Sequence, residues 1–265
     1  MIDDGQNEMA FEKIAPALAR AQSFTYPLMY ESGGAQEINL FASGFFIRVN
    51  GREYLISAAH ALKDFDSSKN RLLTRGSSSV IHIPENIIST ALDKNGQDHL
   101  DMAIIEIPSD FSLKHGINVV DASMFVDSRS GAQNSQRILT GYPASRNKSV
   151  VSKKNVLHLY VYAFADIPDA GGEVNFKNFK KSPEDHVVIQ LQDGISNRGA
   201  HQNVPISPKG MSGGPMWKVP IYSDSEEIFL EGVFIEMHNR ANMYYGFATK
   251  LAHVLGFIRQ LTSAR

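Results

Sequence analysis

The chain contains no cysteine among its 265 residues. Disulfide bonds are therefore excluded, and because small secreted domains often depend on them, an intracellular protein is the more natural interpretation. The sequence also lacks a His-Glu-x-x-His motif, and its nine histidines show no spacing typical of a ligand pair. We therefore expect no metal site.

A strong charge bias and long apolar runs are also missing. The 26 basic and 28 acidic residues give a formal net charge of −2, which offers no electrostatic footprint for nucleic acid or an anionic membrane. No apolar run approaches the roughly 18 residues of a membrane span. The N-terminal residues do not form a secretory signal, so we expect a cytoplasmic protein that binds neither nucleic acid nor membrane. A short basic run at Lys177, Lys180 and Lys181 is typical of a solvated loop.

The apolar residues follow a pattern that is mostly β. Residues 44–57 predict a hairpin that leads to His60, because Asn50-Gly51 at its centre is typical of tight hairpin turns. A similar turn at Asn95-Gly96 precedes a strand that begins at Asp101. Further strands are predicted at residues 137–140, 156–164, 187–191, 228–236 and 244–248.

Helices are expected only near the two ends of the chain. Residues 8–21 are rich in alanine and predict a short helix broken at Pro16, since proline cannot donate a backbone hydrogen bond. Its role, as a cap or as a docking arm, stays open. An amphipathic C-terminal helix that packs on the neighbouring strands is predicted by apolar residues at helical spacing, namely Leu251, Val254, Leu255, Ile258 and Leu261.

Three segments carry the residue types of nucleophilic catalysis. Ser212 lies in the run Gly210-Met211-Ser212-Gly213-Gly214-Pro215, whose glycines permit a sharp turn and let neighbouring backbone N–H groups point together at an oxyanion. His60 follows the apolar run 55–59, and Asp101 precedes the apolar run 102–107. An alcohol, a base and a carboxylate that orients the base are the parts of a catalytic triad.

Each of these residues also has a purely structural explanation when taken alone. The glycine-rich run fits a tight loop, His60 fits a core histidine, and Asp101 fits the solvated start of a strand. Asp98 is an alternative to Asp101. We prefer Asp101 because the apolar run follows it directly.

Together, and in the order His60, Asp101, Ser212, the three segments resemble the trypsin-like (chymotrypsin-fold) serine peptidases, of the bacterial type. The resemblance covers roughly residues 38–250 and includes a weaker match at Gly141-Tyr142-Pro143. It implies an all-β fold of two antiparallel six-stranded Greek-key β-barrels with a C-terminal helix and a short N-terminal helical extension. The implied boundaries are 1–25 for the extension, 26–128 for the first barrel, 129–250 for the second barrel and 251–265 for the helix, together forming one peptidase domain.

The resemblance also implies a role for each residue of the triad. Ser212 attacks the scissile carbonyl, His60 takes and returns the proton, and Asp101 holds the imidazole. The backbone N–H groups of Gly210 and Ser212 form the oxyanion hole. No cofactor is implied, since the triad supplies the nucleophile, the base and the charge stabilisation.

Substrate choice is implied by the same resemblance. We expect residues 164–186 to form a loop that borders the cleft. No acidic residue lies at the expected floor of the specificity pocket, which favours apolar or small substrate side chains unless Glu236 turns inward. The pocket is carried over to Ile206, Ser207, Ile235, Glu236 and Met237, with Tyr245 and Gly246 nearby.

One departure from the family concerns activation. Secreted vertebrate-type members carry an aspartate before the serine that pairs with a new N-terminus after cleavage, whereas this chain has Met211. We therefore predict that no activating cleavage is needed. Two functions follow. One is a serine endopeptidase acting on protein or peptide substrates, and the other is a protease-like binding module that is either catalytically silent or gated by an activating protein partner.

Overall fold

The protein is represented by a computed structural model. It is mostly β, with two antiparallel sheets, one of which is a half-barrel, and a C-terminal helix. The structure describes residues 4–32, 38–63, 65, 69–77, 79–84, 87–90, 98–126, 135–147, 159, 161–166, 174–192, 208–220, 226–240 and 243–263.

The first sheet comes from the N-terminal half of the chain. Its strands are β1 (Tyr26–Ser32), β2 (Ile38–Val49), β3 (Arg52–Ala58), β4 (Asn70–Arg75), β5 (Val80–His82), β6 (Ile87–Ser89), β7 (Met102–Ile107) and β8 (Val119–Val120). The order is β5-β4-β1-β2-β3-β7-β6, with antiparallel neighbours throughout. The short strand β8 pairs in parallel with β2.

The second sheet comes from the C-terminal half. Its strands are β9 (Ser135–Gly141), β10 (Tyr162–Ala165), β11 (His186–Gln192), β12 (Pro215–Pro220), β13 (Phe229–Arg240) and β14 (Met243–Lys250). They lie in the order β10-β9-β12-β13-β14-β11, and all pairs are antiparallel. The sequence did not predict β12, because Pro215 and Pro220 at its ends weaken the strand signal.

The predicted hairpin is confirmed. β2 and β3 pair from Val49↔Arg52 to Phe45↔Ile56, and the turn between them is Asn50-Gly51. Both turn residues have positive φ, 50° and 76°, as the mirror-image turns of hairpins require. The turn at Asn95-Gly96 lies outside the described residues.

The helices are α1 (Asp4–Ser23), α2 (Ala59–Leu62), α3 (Phe111–His115) and α4 (Leu251–Ser263). The prediction that Pro16 breaks the first helix is wrong, since α1 continues through it. Ile14 and Ala17 on either side of Pro16, together with Ala21, are buried in the core, and this packing outweighs the roughly 3 kcal/mol that an internal proline costs. Among the described helices, none is long and apolar enough to cross a membrane.

One buried cluster joins the two sheets. It contains Phe45 and Ile56 of the first sheet and Trp217 and Leu230 of the second, and both terminal helices contribute to it. The predicted packing of α4 is confirmed, because the face that carries Val254 is buried in this cluster. This shared core fixes the two sheets relative to each other. Since each sheet contributes residues to one cleft, the core also fixes the shape of that cleft.

Candidate active site

Three side chains from distant parts of the sequence meet at one cleft. His60 Nδ1 lies 2.5 Å from Asp101 Oδ2, and His60 Nε2 lies 3.2 Å from Ser212 Oγ. A carboxylate can only accept, so Nδ1–H donates to Asp101 and Nε2 is left to accept from the hydroxyl of Ser212. The structure therefore brings together all three residues that the sequence predicted.

Asp101 holds His60 through the backbone as well as through the ring. Its other carboxylate oxygen accepts the backbone N–H of His60 at 2.7 Å, and its carbonyl accepts the N–H of Ala59 at 3.0 Å. These contacts use an uncommon backbone conformation at Asp101, with φ of 46°, which aspartate tolerates better than most residues. The alternative residue, Asp98, accepts the backbone N–H of Asp101 at 2.8 Å. Asp101, rather than Asp98, thus contacts His60.

The loop that carries Ser212 is hydrogen-bonded to both sheets. The carbonyl of Ser212 accepts from the N–H of Ser43 on β2 at 2.9 Å, and the N–H of Gly213 donates to the carbonyl of Phe234 on β13 at 2.7 Å. Within the loop, the N–H of Gly214 donates to the carbonyl of Met211 at 2.9 Å. The position of Ser212 is therefore fixed relative to both sheets.

Ser43 is a structural part of the site that the sequence analysis missed. It is fully buried, and its hydroxyl donates to the carbonyl of Gly210 at 2.8 Å while accepting from the N–H of Tyr142 at 2.9 Å. Its own carbonyl accepts from the hydroxyl of Ser57 at 2.8 Å. Ser43 is the one polar side chain in residues 40–47, and a polar side chain buried in such a run needs hydrogen-bond partners, but the run does not indicate which ones.

The two proposed oxyanion donors are adjacent to the cleft. Gly210 and Ser212 both line it, and within the described part of the chain neither backbone N–H has an acceptor. Gly210 adopts φ of 93°, a conformation that L side chains rarely adopt. Its carbonyl accepts from the buried hydroxyl of Ser43, which holds this part of the loop against β2.

Gly213→Ala is expected to destabilise the protein by roughly 2–4 kcal/mol. Its φ is +87°, and an added Cβ would lie 2.2 Å from Ser57 Oγ and 2.3 Å from the carbonyl oxygen of Ser43. The matched control is Gly51→Ala, where φ is +76° but no atom lies within 4 Å of the added Cβ. Urea denaturation gives the free energy of unfolding of both variants. Equal losses of stability in Gly213→Ala and Gly51→Ala would contradict the steric explanation.

Met211 is part of the core beneath this loop. Its side chain is fully buried and packs in a cluster that includes Leu139, Met216 and Phe234. It comes so close to β9 that a Cβ on Gly141 would lie 2.9 Å from the Cβ of Met211. An apolar side chain at this position needs no charged partner. That no activating cleavage is required stays a prediction.

The cleft has a volume of about 1240 Å³, and its walls come from both sheets. Phe41 and residues 59–63 lie on the side of the first sheet, and Lys181 and residues 234–237 lie on the side of the second. Three of the predicted pocket residues, at positions 235–237, therefore line the cleft. Ile206 and Ser207 lie outside the described residues.

An ion pair lies in the wall of the cleft on the side of the second sheet. Lys181 Nζ lies 2.6 Å from Glu236 Oε1, and His238 Nε2 lies 3.4 Å from the same oxygen. Burial favours a raised pKa of Glu236, but the hydrogen bond and charge of Lys181, with a contribution from His238, hold that pKa below its ordinary value. Glu236 lines the cleft, and the ion pair with Lys181 compensates its negative charge.

The interpretation of the basic run as a solvated loop is wrong for Lys181. Its side chain is only 13% exposed, whereas Lys177 and Lys180 are exposed. The physical reason is a 3₁₀ turn at Phe176–Phe179 that ends at Lys180, whose φ of 56° reverses the chain. Lys181 is therefore directed toward Glu236, a contact that composition alone does not reveal.

The electrostatic surroundings of His60 favour its charged form. The hydrogen bond to Asp101 raises the pKa of His60 and outweighs burial, which lowers it. The negative charges of Asp101 and Glu236 raise this pKa further, and Lys181 lowers it. An imidazolium formed when His60 accepts a proton is thus stabilised at this position.

The arrangement of Ser212, His60 and Asp101 can activate an alcohol. Ser212 Oγ is within hydrogen-bond distance of one ring nitrogen of His60, and the other ring nitrogen is held by the carboxylate of Asp101. This is the geometry of a base-activated nucleophile.

Among the described residues, no group of three His, Asp or Glu side chains is placed to hold a metal ion. No protein-family model matches the chain, and a search of curated proteins also finds no match.

Proposed function

We propose that the chain is a serine endopeptidase that resembles the trypsin-like class and hydrolyses peptide bonds of protein substrates through an acyl-enzyme intermediate. The observation that carries this proposal is the continuous hydrogen-bonded series Ser212, His60, Asp101 in an open cleft. A structural histidine needs no serine hydroxyl beside it, and a binding cleft needs no carboxylate behind the histidine. The combination is best explained by catalysis.

The strand order supports a pair of Greek-key barrels. In the first sheet β4 lies beside β1, followed by β2 and β3, which is the spatial order 4-1-2-3 of a Greek key. In the second sheet β12, β13 and β14 are consecutive neighbours, and β11 lies beside β14. The second sheet thus carries the reverse of the order in the first, with the first of four successive strands beside the fourth, and it has the expected six strands, whereas the first sheet has eight.

The proposed reaction begins with attack of Ser212 Oγ on the carbonyl carbon of the substrate. His60 Nε2 takes the hydroxyl proton, and Asp101 stabilises the resulting imidazolium. The negative oxygen of the tetrahedral intermediate accepts from the N–H groups of Gly210 and Ser212. His60 then gives its proton to the leaving amine, the C–N bond breaks, and the acyl group stays on Ser212.

Hydrolysis of the acyl-enzyme repeats these steps with water. His60 takes a proton from the water, the hydroxide attacks the ester carbon, and the same two N–H groups hold the oxyanion. The C–O bond to Ser212 then breaks, and His60 returns the proton to its oxygen. No cofactor takes part in this cycle, because side chains and backbone supply every proton transfer and every stabilised charge.

Labelling with a fluorophosphonate tests the proposal. Wild-type protein is expected to gain one adduct by intact-mass spectrometry, whereas Ser212→Ala gains none, because the probe reacts only with an activated hydroxyl. Ser123→Ala, at an exposed 3₁₀ turn, is the control and labels like wild type. Absence of an adduct on the wild type contradicts an active enzyme and favours the silent or partner-gated binding module.

A further inference from the structure

The segment that leads into Asp101 is held by side chains of the second sheet. His186 Nε2 lies 3.1 Å from the carbonyl oxygen of His99, and Thr249 Oγ1 donates to the carbonyl of Leu100. His186 is only 4% exposed and Thr249 is fully buried. The two residues before Asp101 are therefore each bonded to a buried side chain from the other sheet.

His186 and Thr249 are neighbours on that sheet. They are direct partners in the pairing of β11 with β14, so their side chains lie on the same face and reach the loop side by side. The register of two strands thus sets the spacing of two donors, which matches the spacing of two successive carbonyls. Two such hydrogen bonds position a backbone segment more tightly than a single hydrogen bond does.

The contact of His186 has a defined direction. The carbonyl of His99 can only accept, so Nε2 must carry the proton. On the other side of the ring, Nδ1 lies 3.5 Å from the backbone nitrogen of Ser182, whose N–H it accepts when the ring is neutral and protonated at Nε2. It also lies 3.2 Å from the carbonyl oxygen of Ser182, to which it donates only when it carries a proton itself. Burial lowers the pKa of His186, with Lys181 acting in the same direction, and a neutral ring protonated at Nε2 satisfies the contact to His99.

The position of this loop decides the geometry of the triad. Asp101 adopts φ of 46° and must present one oxygen to the ring of His60 and the other to its backbone N–H. The second sheet also holds the nucleophile loop through the bond from Gly213 to Phe234. His186 therefore ties the carboxylate to the same sheet that positions Ser212.

We propose that His186 is a positioning residue, which sets the Asp101 carboxylate against His60 by donating from Nε2 to the carbonyl of His99. The predicted effect on the acylation rate rests on the proposed function. The predicted effect on the hydrogen bond between His60 and Asp101 is independent of that function, because it can be measured in a protein with no activity.

Two substitutions and a control test this role. His186→Leu removes the donor, His186→Gln retains an N–H at a similar distance from the backbone, and Ile189→Ala removes buried volume elsewhere on β11. NMR titration gives the pKa of His60 in each protein, and fluorophosphonate labelling at a series of pH values gives the acylation rate. The charges of Asp101, Glu236 and Lys181 that act on His60 are the same in all of them.

We expect His186→Leu to lower the pKa of His60 and to slow acylation about 10- to 100-fold, as losses of orienting partners commonly do. The midpoint of its pH–rate profile moves to lower pH. His186→Gln recovers most of the rate, and Ile189→Ala lowers thermal stability without changing the pKa of His60.

The proposal is overturned if His186→Leu folds and keeps the wild-type pKa of His60. It is also overturned if ¹⁵N NMR of the wild type shows the proton of His186 on Nδ1, a measurement that needs no variant. Failure of the wild type to label would count against the peptidase function alone, because the pKa of His60 still decides the role of His186.

Discussion

Replacing Asp101 by asparagine is expected to slow the acylation of Ser212 by about 10⁴-fold. The carboxylate accepts the Nδ1–H of His60 at 2.5 Å and the backbone N–H of His60 at 2.7 Å. An asparagine NH₂ group can face Nδ1 only when that nitrogen carries no proton. The ring proton then lies on Nε2, which can no longer accept from the hydroxyl of Ser212. The second-order rate constant for fluorophosphonate labelling measures the loss.

The pH dependence of the same reaction provides a second readout. The hydrogen bond from Asp101 raises the pKa of His60 in the wild type. Because the base acts in its neutral form, the wild-type rate is expected to rise with pH through a midpoint above the ordinary histidine value of about 6.5. Asp101→Asn removes the raising effect, so the midpoint moves to lower pH while the plateau falls.

Asp98→Asn is the matched control. The carboxylate of Asp98 accepts from the backbone N–H of Asp101 and makes no bond to His60. Asp98→Asn is therefore expected to slow acylation much less than Asp101→Asn does. The assignment of the triad would be wrong if Asp98→Asn abolished labelling while Asp101→Asn spared it. Thermal denaturation of both variants checks that the comparison is made between folded proteins.

The residues of the candidate triad could be predicted because each belongs to a local pattern. His60 follows the hairpin marked by Asn50-Gly51, Asp101 directly precedes the apolar strand β7, and Ser212 lies among glycines. A local pattern depends only on the conformation of one short segment, such as the alternation of apolar side chains on a strand or a positive φ in a turn. The order of the segments matches that of the trypsin-like serine peptidases, and this resemblance implied that the three residues meet.

The residues that hold the triad in place could not be predicted in this way. Ser43 bonds Gly210, His186 bonds His99 and Lys181 pairs with Glu236, and each partner is far away in the sequence. Such contacts depend on how the two sheets pack and on strand register, which no local pattern encodes. A serine in a strand or a histidine at a strand end has the same local sequence whether it faces the site or the solvent.

The course of α1 was mispredicted for a related reason. The rule that proline ends a helix describes the local cost, about 3 kcal/mol, and here the buried residues around Pro16 gain more than that by packing against the shared core. The predicted break followed local propensity, whereas the observed helix follows tertiary packing. The N-terminal extension thus contributes Ile14, Ala17, Leu18 and Ala21 to the core that joins the two sheets.

Gly210→Ala is expected to lower kcat for hydrolysis of an activated ester by about 10²–10³-fold with little change in KM. Gly210 has φ of +93°, and an added Cβ would lie 2.7 Å from the carbonyl oxygen of Tyr142 and 2.8 Å from the nitrogen of Ala144. Both are backbone atoms, so the loop itself must move. In the proposed reaction, this movement takes the N–H of Gly210 away from the oxyanion.

The split between kcat and KM is what identifies an oxyanion role. A donor that bonds the developing negative charge contributes mainly in the transition state, so its loss lowers kcat, whereas general damage to the cleft also weakens substrate binding. Gly51→Ala, which introduces similar backbone strain at the tip of the β2–β3 hairpin, is expected to keep the wild-type kcat. A Gly210→Ala protein that folds and retains kcat within about threefold of wild type would exclude this N–H from the reaction, because losing one such donor costs on the order of 10²–10³-fold.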